Sequence, residues 1–266
     1  MHAESKILNV TLSKKKIHFV PNIVYAQVPT FDSPNKILQL DLLQPQSDRP
    51  LPTVVFATGG AFVAADRARM PQIRFRLAEC GYVVASITYR TFPNSQLPAP
   101  IEDVKSAVRF LKAHSKKFNV DPDRIALLGD SAGAYLCACA ATTHLSDRFN
   151  VGDHLEQSSE IIGAIDLYGL SDPIKVNGGF MYSPDAVKFN PINYVDKNSA
   201  PMLLMHGTND QIVSPEQTDL LFQALRAAGV DSERYLIPGA DHADEYWVQD
   251  AVFDVIVNWL ARHAKR

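Results

Sequence analysis

The pentapeptide Gly129-Asp130-Ser131-Ala132-Gly133 sets one serine among small residues, a composition suited to a tight turn that thrusts a side chain clear of the backbone. It follows the apolar run Ile125 to Leu128 and precedes a helical stretch from Ala134 to Thr143. A strand-to-helix turn points Ser131 at the helix N-terminus, where unpaired N–H groups and the positive dipole end favour developing negative charge. The chemistry open to such a serine is attack on an acyl carbon, given a base to take its proton. A serine that only caps a helix would occupy the same place, so the reading depends on partners elsewhere in the chain.

His242 is the candidate base and Asp210 the acid that orients it. His206-Gly207-Thr208-Asn209-Asp210 follows the apolar run Met202 to Met205, and His242 follows Pro238-Gly239-Ala240-Asp241 after Arg234 to Ile237. Both positions fall just past strand ends, at the carboxyl edge where open α/β sheets hold ligands. In such an arrangement His242 takes the Ser131 proton and returns it to the leaving group, while Asp210 fixes the tautomer and stabilises the imidazolium. Asp172, after the preceding strand, is a competing acid, and Asp241 reads as a turn residue. His206 reads as a support for the loop carrying Asp210, and Asp130 as a helix-end charge or a support behind the serine. A tetrahedral intermediate also needs donors for its oxyanion. The backbone N–H of Ala132 is one, and the loop Thr58-Gly59-Gly60-Ala61-Phe62 offers those of Gly60 and Ala61 directly after the strand ending at Ala57.

The elements that must position these groups are legible in outline. From Thr53 onward, short apolar runs alternate with helical patterns, which predicts a mostly parallel sheet with helices on both faces. The strands expected are Thr53 to Ala57, Tyr82 to Ile87, Ile125 to Leu128, Ile161 to Leu167, Met202 to Met205 and Arg234 to Ile237. Ile101, Val104, Ala107, Val108 and Leu111 repeat at helical spacing after Pro98-Ala99-Pro100. Another helix is expected with Ser214 as N-cap and Pro215 at its first position, ending at Gly229, and a last one carries Val252 through Leu260. Ile17 to Phe19, Ile23 to Ala26 and Ile37 to Leu42 read as antiparallel strands added at one edge. The stretch from about 170 to 200 is broken by Pro173, Gly178, Gly179, Pro184 and Pro191. It reads as a short lid within a single domain spanning 1–266, with Phe180, Met181 and Tyr182, together with Phe62, lining a substrate pocket.

Hydrophobic residues make up 46% and charged residues 21% of the 266, enough apolar material for a sizeable core. A formal charge of −3 gives no basic footprint for nucleic acid, and Lys14-Lys15-Lys16 reads as a solvated strand edge. No apolar run is long enough for a signal-peptide core or a membrane span, so a soluble cytoplasmic protein is expected. Cys80, Cys137 and Cys139 show no metal-ligand spacing and read as free thiols. The chemistry needs only side chains and water, which implies no metal and no organic cofactor. Edge strands at the N-terminal end leave monomer and homodimer both open.

With this order of motifs the chain resembles the serine esterases of the α/β-hydrolase fold. It is most similar to the branch containing the feruloyl and acetyl-xylan esterases and, more distantly, to the hormone-sensitive-lipase-like carboxylesterases. The resemblance is carried by Gly129 to Gly133, the approach Asp121-Pro122-Asp123-Arg124-Ile125, His206 to Asp210 with Val213, and Pro238 to His242. Thr58 stands where such families usually have His, Ala61 where many have a third Gly, and Ala134 where Gly is common. The resemblance implies hydrolysis of small carboxylic esters, short-acyl or aryl and hydroxycinnamoyl, through an acyl-enzyme on Ser131. Two alternatives stand beside it: an amidase, arylformamidase or peptidase using the same three residues, and a non-catalytic binding protein on the same scaffold.

Overall fold

The computed structural model describes residues 5–172 and 184–265. Eight strands build one sheet: β1 (Ile17–Val28), β2 (Lys36–Pro45), β3 (Leu51–Ala57), β4 (Val83–Ile87), β5 (Val120–Asp130), β6 (Gly163–Leu167), β7 (Met202–Gly207) and β8 (Ser232–Ile237). Their spatial order is β1-β2-β4-β3-β5-β6-β7-β8. The contacts among β3 to β8 are all parallel, while β1 pairs antiparallel with β2 and β2 antiparallel with β4. This is the α/β arrangement expected from the alternation of apolar runs with helical patterns.

Strand side chains alternate between two cores, as the pleat requires. Val55, Leu127, Ala164 and Leu204 face one side, under α2 (Ala99–Ala113), α4 (Ala132–Thr142) and α5 (Glu216–Ala227). Val54, Phe56, Leu128, Ile165 and Leu203 face the other, under α1 (Pro71–Glu79) and α6 (Asp250–His263). Full burial of each such side chain stabilises the fold by roughly 1.5–3 kcal/mol. A short α3 (Ser115–Phe118) closes the path from α2 into β5.

Three local differences from the sequence expectation have physical causes. The two N-terminal runs merge into the single strand β1, whose register slips between Val20 and Ile23, where Pro21 has no N–H to donate and Asn22 takes a φ of 60°. Helix α1 has no counterpart in the sequence expectation, because its buried set is Ile73, Arg74, Leu77 and Ala78, and an arginine in that set blurs the apolar stripe. Helix α5 starts at Glu216, beyond Pro215; Ser214 Oγ accepts the Glu216 N–H at 3.4 Å.

Residues 173–183, with Phe180, Met181 and Tyr182 among them, lie outside the described residues. The later part of that excursion forms 3-10 turns at Pro184–Phe189 and Pro191–Tyr194 that dock on α4. Tyr135 Oη donates to the Phe189 carbonyl at 2.9 Å, and the Ala200 N–H donates to the Ala141 carbonyl at 3.1 Å. No helix among the described residues is long and apolar enough to cross a membrane.

Candidate active site

Ser131 occupies the junction of β5 and α4 with φ 52° and ψ −120°, a region that L residues avoid at a cost of about 1–3 kcal/mol. The small flanking residues are required by close backbone approach. A Cβ on Gly133 would fall 2.0 Å from the Ala57 carbonyl oxygen, and one on Gly129 would fall 2.4 Å from the Gly133 carbonyl oxygen. Helix α4 is buried along its whole length, which accounts for its run of Ala and Cys.

Ser131, His242 and Asp210 meet at the carboxyl edge of the sheet. His242 Nε2 lies 3.0 Å from Ser131 Oγ, and His242 Nδ1 lies 2.8 Å from Asp210 Oδ2. A carboxylate at Nδ1 holds the proton there and leaves Nε2 as the acceptor for the serine hydroxyl. Asp210 is itself fixed, since its Oδ1 accepts the N–H groups of Ile212 and Val213 at 2.9 and 2.8 Å. Burial pushes its carboxyl pKa up, but hydrogen bonds from His206, His242 and the Val213 N–H outweigh burial and hold it well below the usual carboxylate range.

His206 does more than shape the loop. Its Nε2 is 2.9 Å from the Val213 carbonyl and 3.2 Å from Asp210 Oδ2, and its Nδ1 is 3.1 Å from Thr218 Oγ1. Asp172, the competing acid, has its backbone N–H on Gln217 Oε1 at 2.8 Å, whereas the carboxylate at His242 Nδ1 belongs to Asp210. Asp241 is a turn residue that also bridges two loops. Its Oδ1 accepts the N–H of His242 at 2.7 Å and that of Gln211 at 2.9 Å, tying the histidine loop to the Asp210 loop. The Tyr168 ring packs edge-on against His242, centroids 4.8 Å apart.

Gly60, Ala61 and Ala132 line a cavity together with Ser131. Their backbone N–H groups donate to no partner among the described residues, so all three remain available to an oxyanion. The loop carrying Gly60 and Ala61 is pinned from two sides. Asp130 Oδ1 accepts the Gly59 N–H at 2.7 Å, and Tyr89 Oη donates to the Thr58 carbonyl at 2.6 Å. Asp130 is thus a support behind the site rather than a free helix-end charge; burial pushes its pKa up, against the pull of the Gly59 N–H and Arg69. Neither Tyr89 nor Arg69 is marked by local sequence pattern, because both reach the site only through the folded chain.

The described residues bound a cavity of about 220 Å³. Its walls include Phe62, Leu170, Ile212 and Val213, and among the described residues its only ionisable side chains are Arg69 and His242. Phe62 lies in the wall of this cavity, edge-on to Tyr135 at 5.5 Å, and Leu170, Ile212, Val213 and Arg69 join it from elsewhere in the chain. Among the described residues no group of His, Cys, Asp and Glu side chains is arranged to hold a metal ion. The buried Cys137 and Cys139 thiols are pushed well above the usual range by burial, which makes them poor nucleophiles.

A largely parallel eight-stranded sheet, with a strained serine at the β5–α4 turn and an acid and a histidine beyond later strands, defines the α/β-hydrolase class. Within that class the chain belongs to the BD-FAE family, whose model matches residues 40–225. The resemblance read from the motifs is borne out by this match. Esterase LipC of Mycobacterium tuberculosis (strain ATCC 25618 / H37Rv) is 29% identical over 231 residues, covering 79% of this chain and 57% of that protein. Isoprenylcysteine alpha-carbonyl methylesterase ICME of Arabidopsis thaliana is 28% identical over 252 residues, covering 83% and 58%. The chain spans about half the length of the curated relatives it matches. Among solved structures, a truncated form of a carbohydrate esterase from gut microbiota aligns with a TM-score of 0.82 at 23% identity, over 95% of this chain and 98% of the other. A thermophilic esterase of Thermogutta terrifontis with propionate bound aligns at 0.77 with 22% identity, over 94% of both chains. These two likenesses show the fold.

Proposed function

We propose that this chain is a serine hydrolase that cleaves small carboxylic esters through an acyl-enzyme on Ser131. The observation that carries the reading is the unbroken relay from Ser131 Oγ through His242 to Asp210, at 3.0 and 2.8 Å, beside three N–H groups with no partner among the described residues. In the first half-reaction His242 Nε2 takes the Ser131 proton as Oγ attacks the ester carbonyl. The oxyanion accepts from the N–H groups of Ala132 and of Gly60 or Ala61, and collapse expels the alcohol with the proton from His242. In the second, His242 activates a water on the acyl-enzyme, and Ser131 leaves with its proton restored. Asp210 stays ionised throughout and offsets the charge of the imidazolium.

A cavity of about 220 Å³ is at the small end for ligand sites and favours short acyl or single-ring aryl groups, hydroxycinnamoyl esters included. The chain is read as one domain spanning 1–266; the lid expected at about 170–200 lies partly outside the described residues. The activities named for LipC and for the methylesterase, both ester hydrolases, support the reaction type. The test is a p-nitrophenyl acetate-to-octanoate series with the purified protein. Turnover of the short esters that Ser131→Ala abolishes is expected; absence of any serine-dependent turnover across the series overturns the reading.

A further inference from the structure

Among the described residues, Arg69 is the one charged side chain in the cavity wall that the acyl-transfer chemistry does not use. Its neighbours in sequence are each committed to an acceptor. Arg67 donates to Asn22 Oδ1 at 2.8 Å and pairs with Asp41, Arg74 donates to the Ala68 carbonyl at 2.8 Å, and Arg76 donates to Asp250 at 2.6 Å. The Arg69 guanidinium makes no hydrogen bond to any described residue. Its Nη2 forms an ion pair with buried Asp130 Oδ2 at 3.6 Å, too long for a hydrogen bond, and Asp130 directs its other oxygen to the Gly59 N–H. The Arg69 side chain remains 41% exposed, with its fork of N–H groups available to a ligand in a cavity whose other walls are mainly apolar.

Its place in the fold says which half of an ester it meets. Arg69 immediately precedes α1, on the face of the sheet that also carries α6. Next to it, Met70 Sδ lies 3.6 Å from Tyr168 Oη, which is also 3.5 Å from Asp130 Oδ2, the atom nearest Arg69. The same Tyr168 ring packs against His242. Arg69 is thus linked to His242 through Asp130 and Tyr168 and lines the same cavity, and the leaving oxygen of an ester must lie beside His242 to receive its proton.

We propose that Arg69 recognises an anionic group on the alcohol half of the substrate, so that the preferred esters are those whose leaving alcohol carries a carboxylate. This rests on the ester-hydrolase reading of Ser131. A guanidinium fork matches a carboxylate with two parallel hydrogen bonds, and the apolar surroundings strengthen the pairing relative to water.

The experiment compares 4-acetoxybenzoate with its neutral analogue 4-acetoxybenzamide on the wild-type protein, Arg69→Gln and Arg69→Lys. Wild type is expected to favour the carboxylate by about tenfold in kcat/KM, mainly through KM, with the preference shrinking as salt is raised. Arg69→Gln brings the ratio close to one, and Arg69→Lys keeps part of it. A matched pair for the acyl half, p-nitrophenyl hemisuccinate against p-nitrophenyl butyrate, shows no preference that depends on Arg69. Equal ratios in wild type and Arg69→Gln overturn the proposal, as does an Arg69-dependent preference confined to the acyl-half pair. Fluorophosphonate labelling of Ser131 in each variant reports an assembled site, and if Arg69→Gln does not fold, Arg69→Lys and the wild-type salt dependence decide. A wild-type protein that leaves p-nitrophenyl butyrate intact fails the ester-hydrolase reading instead, which separates the two outcomes.

Discussion

Asp210 is buried yet held in its charged form, because His206, His242 and the Ile212 and Val213 N–H groups converge on it. A carboxyl whose pKa is lowered by folding adds stability above the usual carboxylate range, and that contribution is lost only as pH falls toward the depressed value. Asp210 therefore stays an anion under His242 across the working range, and Asp210→Asn is expected to lower kcat about 10⁴-fold while the protein stays folded, read by single-substrate kinetics and circular dichroism. The backbone of Ser131 makes a separate prediction. With φ at 52°, Ser131→Ala keeps the strain and Ser131→Gly releases it, so the Gly variant should be the more stable of these two inactive proteins by about 1 kcal/mol in urea unfolding. Equal unfolding midpoints for the two variants would count against strain at the elbow.

The elements that matter most are the turn after β5 and the loop after β3, because each must hold backbone groups to a fraction of an ångström. Gly133 abuts the Ala57 carbonyl so closely that a methyl group cannot be admitted without moving β3 away from α4. Gly133→Ala should cost about 3 kcal/mol or prevent folding, seen as a lowered Tm or loss of soluble protein. Tyr89 ties the Thr58 carbonyl in place and also lies 3.4 Å from the Ala64 carbonyl, and Tyr89→Phe removes the hydroxyl that makes both contacts while keeping the ring. The expected result is a stability loss of about 1 kcal/mol and a kcat reduced roughly tenfold with KM little changed, as befits a change felt by the oxyanion donors more than by the bound ester. A change in KM alone would place Tyr89 in substrate binding instead.

For the whole molecule, Asp166 is one of the buried groups that link stability to pH. It lies in β6 between β5 and β7, its Oδ1 accepts the Gly169 N–H at 2.7 Å, and its Oδ2 is buried with no hydrogen-bond partner among the described residues. Burial pushes its pKa from 3.8 up to about 7, against the opposing pull of the Gly169 N–H and His206. The folded state thus keeps a proton that the unfolded chain releases above about pH 4, and stability falls as pH rises from there toward about 7. Asp166→Asn mimics the protonated form. It should raise stability at pH 8 by about 2–4 kcal/mol and leave it nearly unchanged at pH 4.5, measured as urea midpoints at the two values. The same gain at both would show that packing, not the proton, sets the difference.

Much of this protein is written locally enough to read from the chain. Ser131, Asp210 and His242 each follow a short apolar run at a strand end, and Gly129, Ala132 and Gly133 announce the turn, because a parallel sheet imposes its period and its punctuation on neighbouring residues. The alternation from Thr53 onward marks the class of fold for the same reason. What the sequence could not decide was which groups meet across it. Tyr89 reaches the oxyanion loop, Asp130 binds Gly59, His206 shares Asp210 with His242, and Arg69 enters the cavity, through contacts whose partners lie up to 71 positions apart. No periodicity encodes such meetings. They arise when β3, β5, β6 and β7 are laid side by side, and it is that lateral order which sets a serine in a tight turn beside a histidine, a carboxylate, three N–H groups unpaired among the described residues and a neighbouring cation.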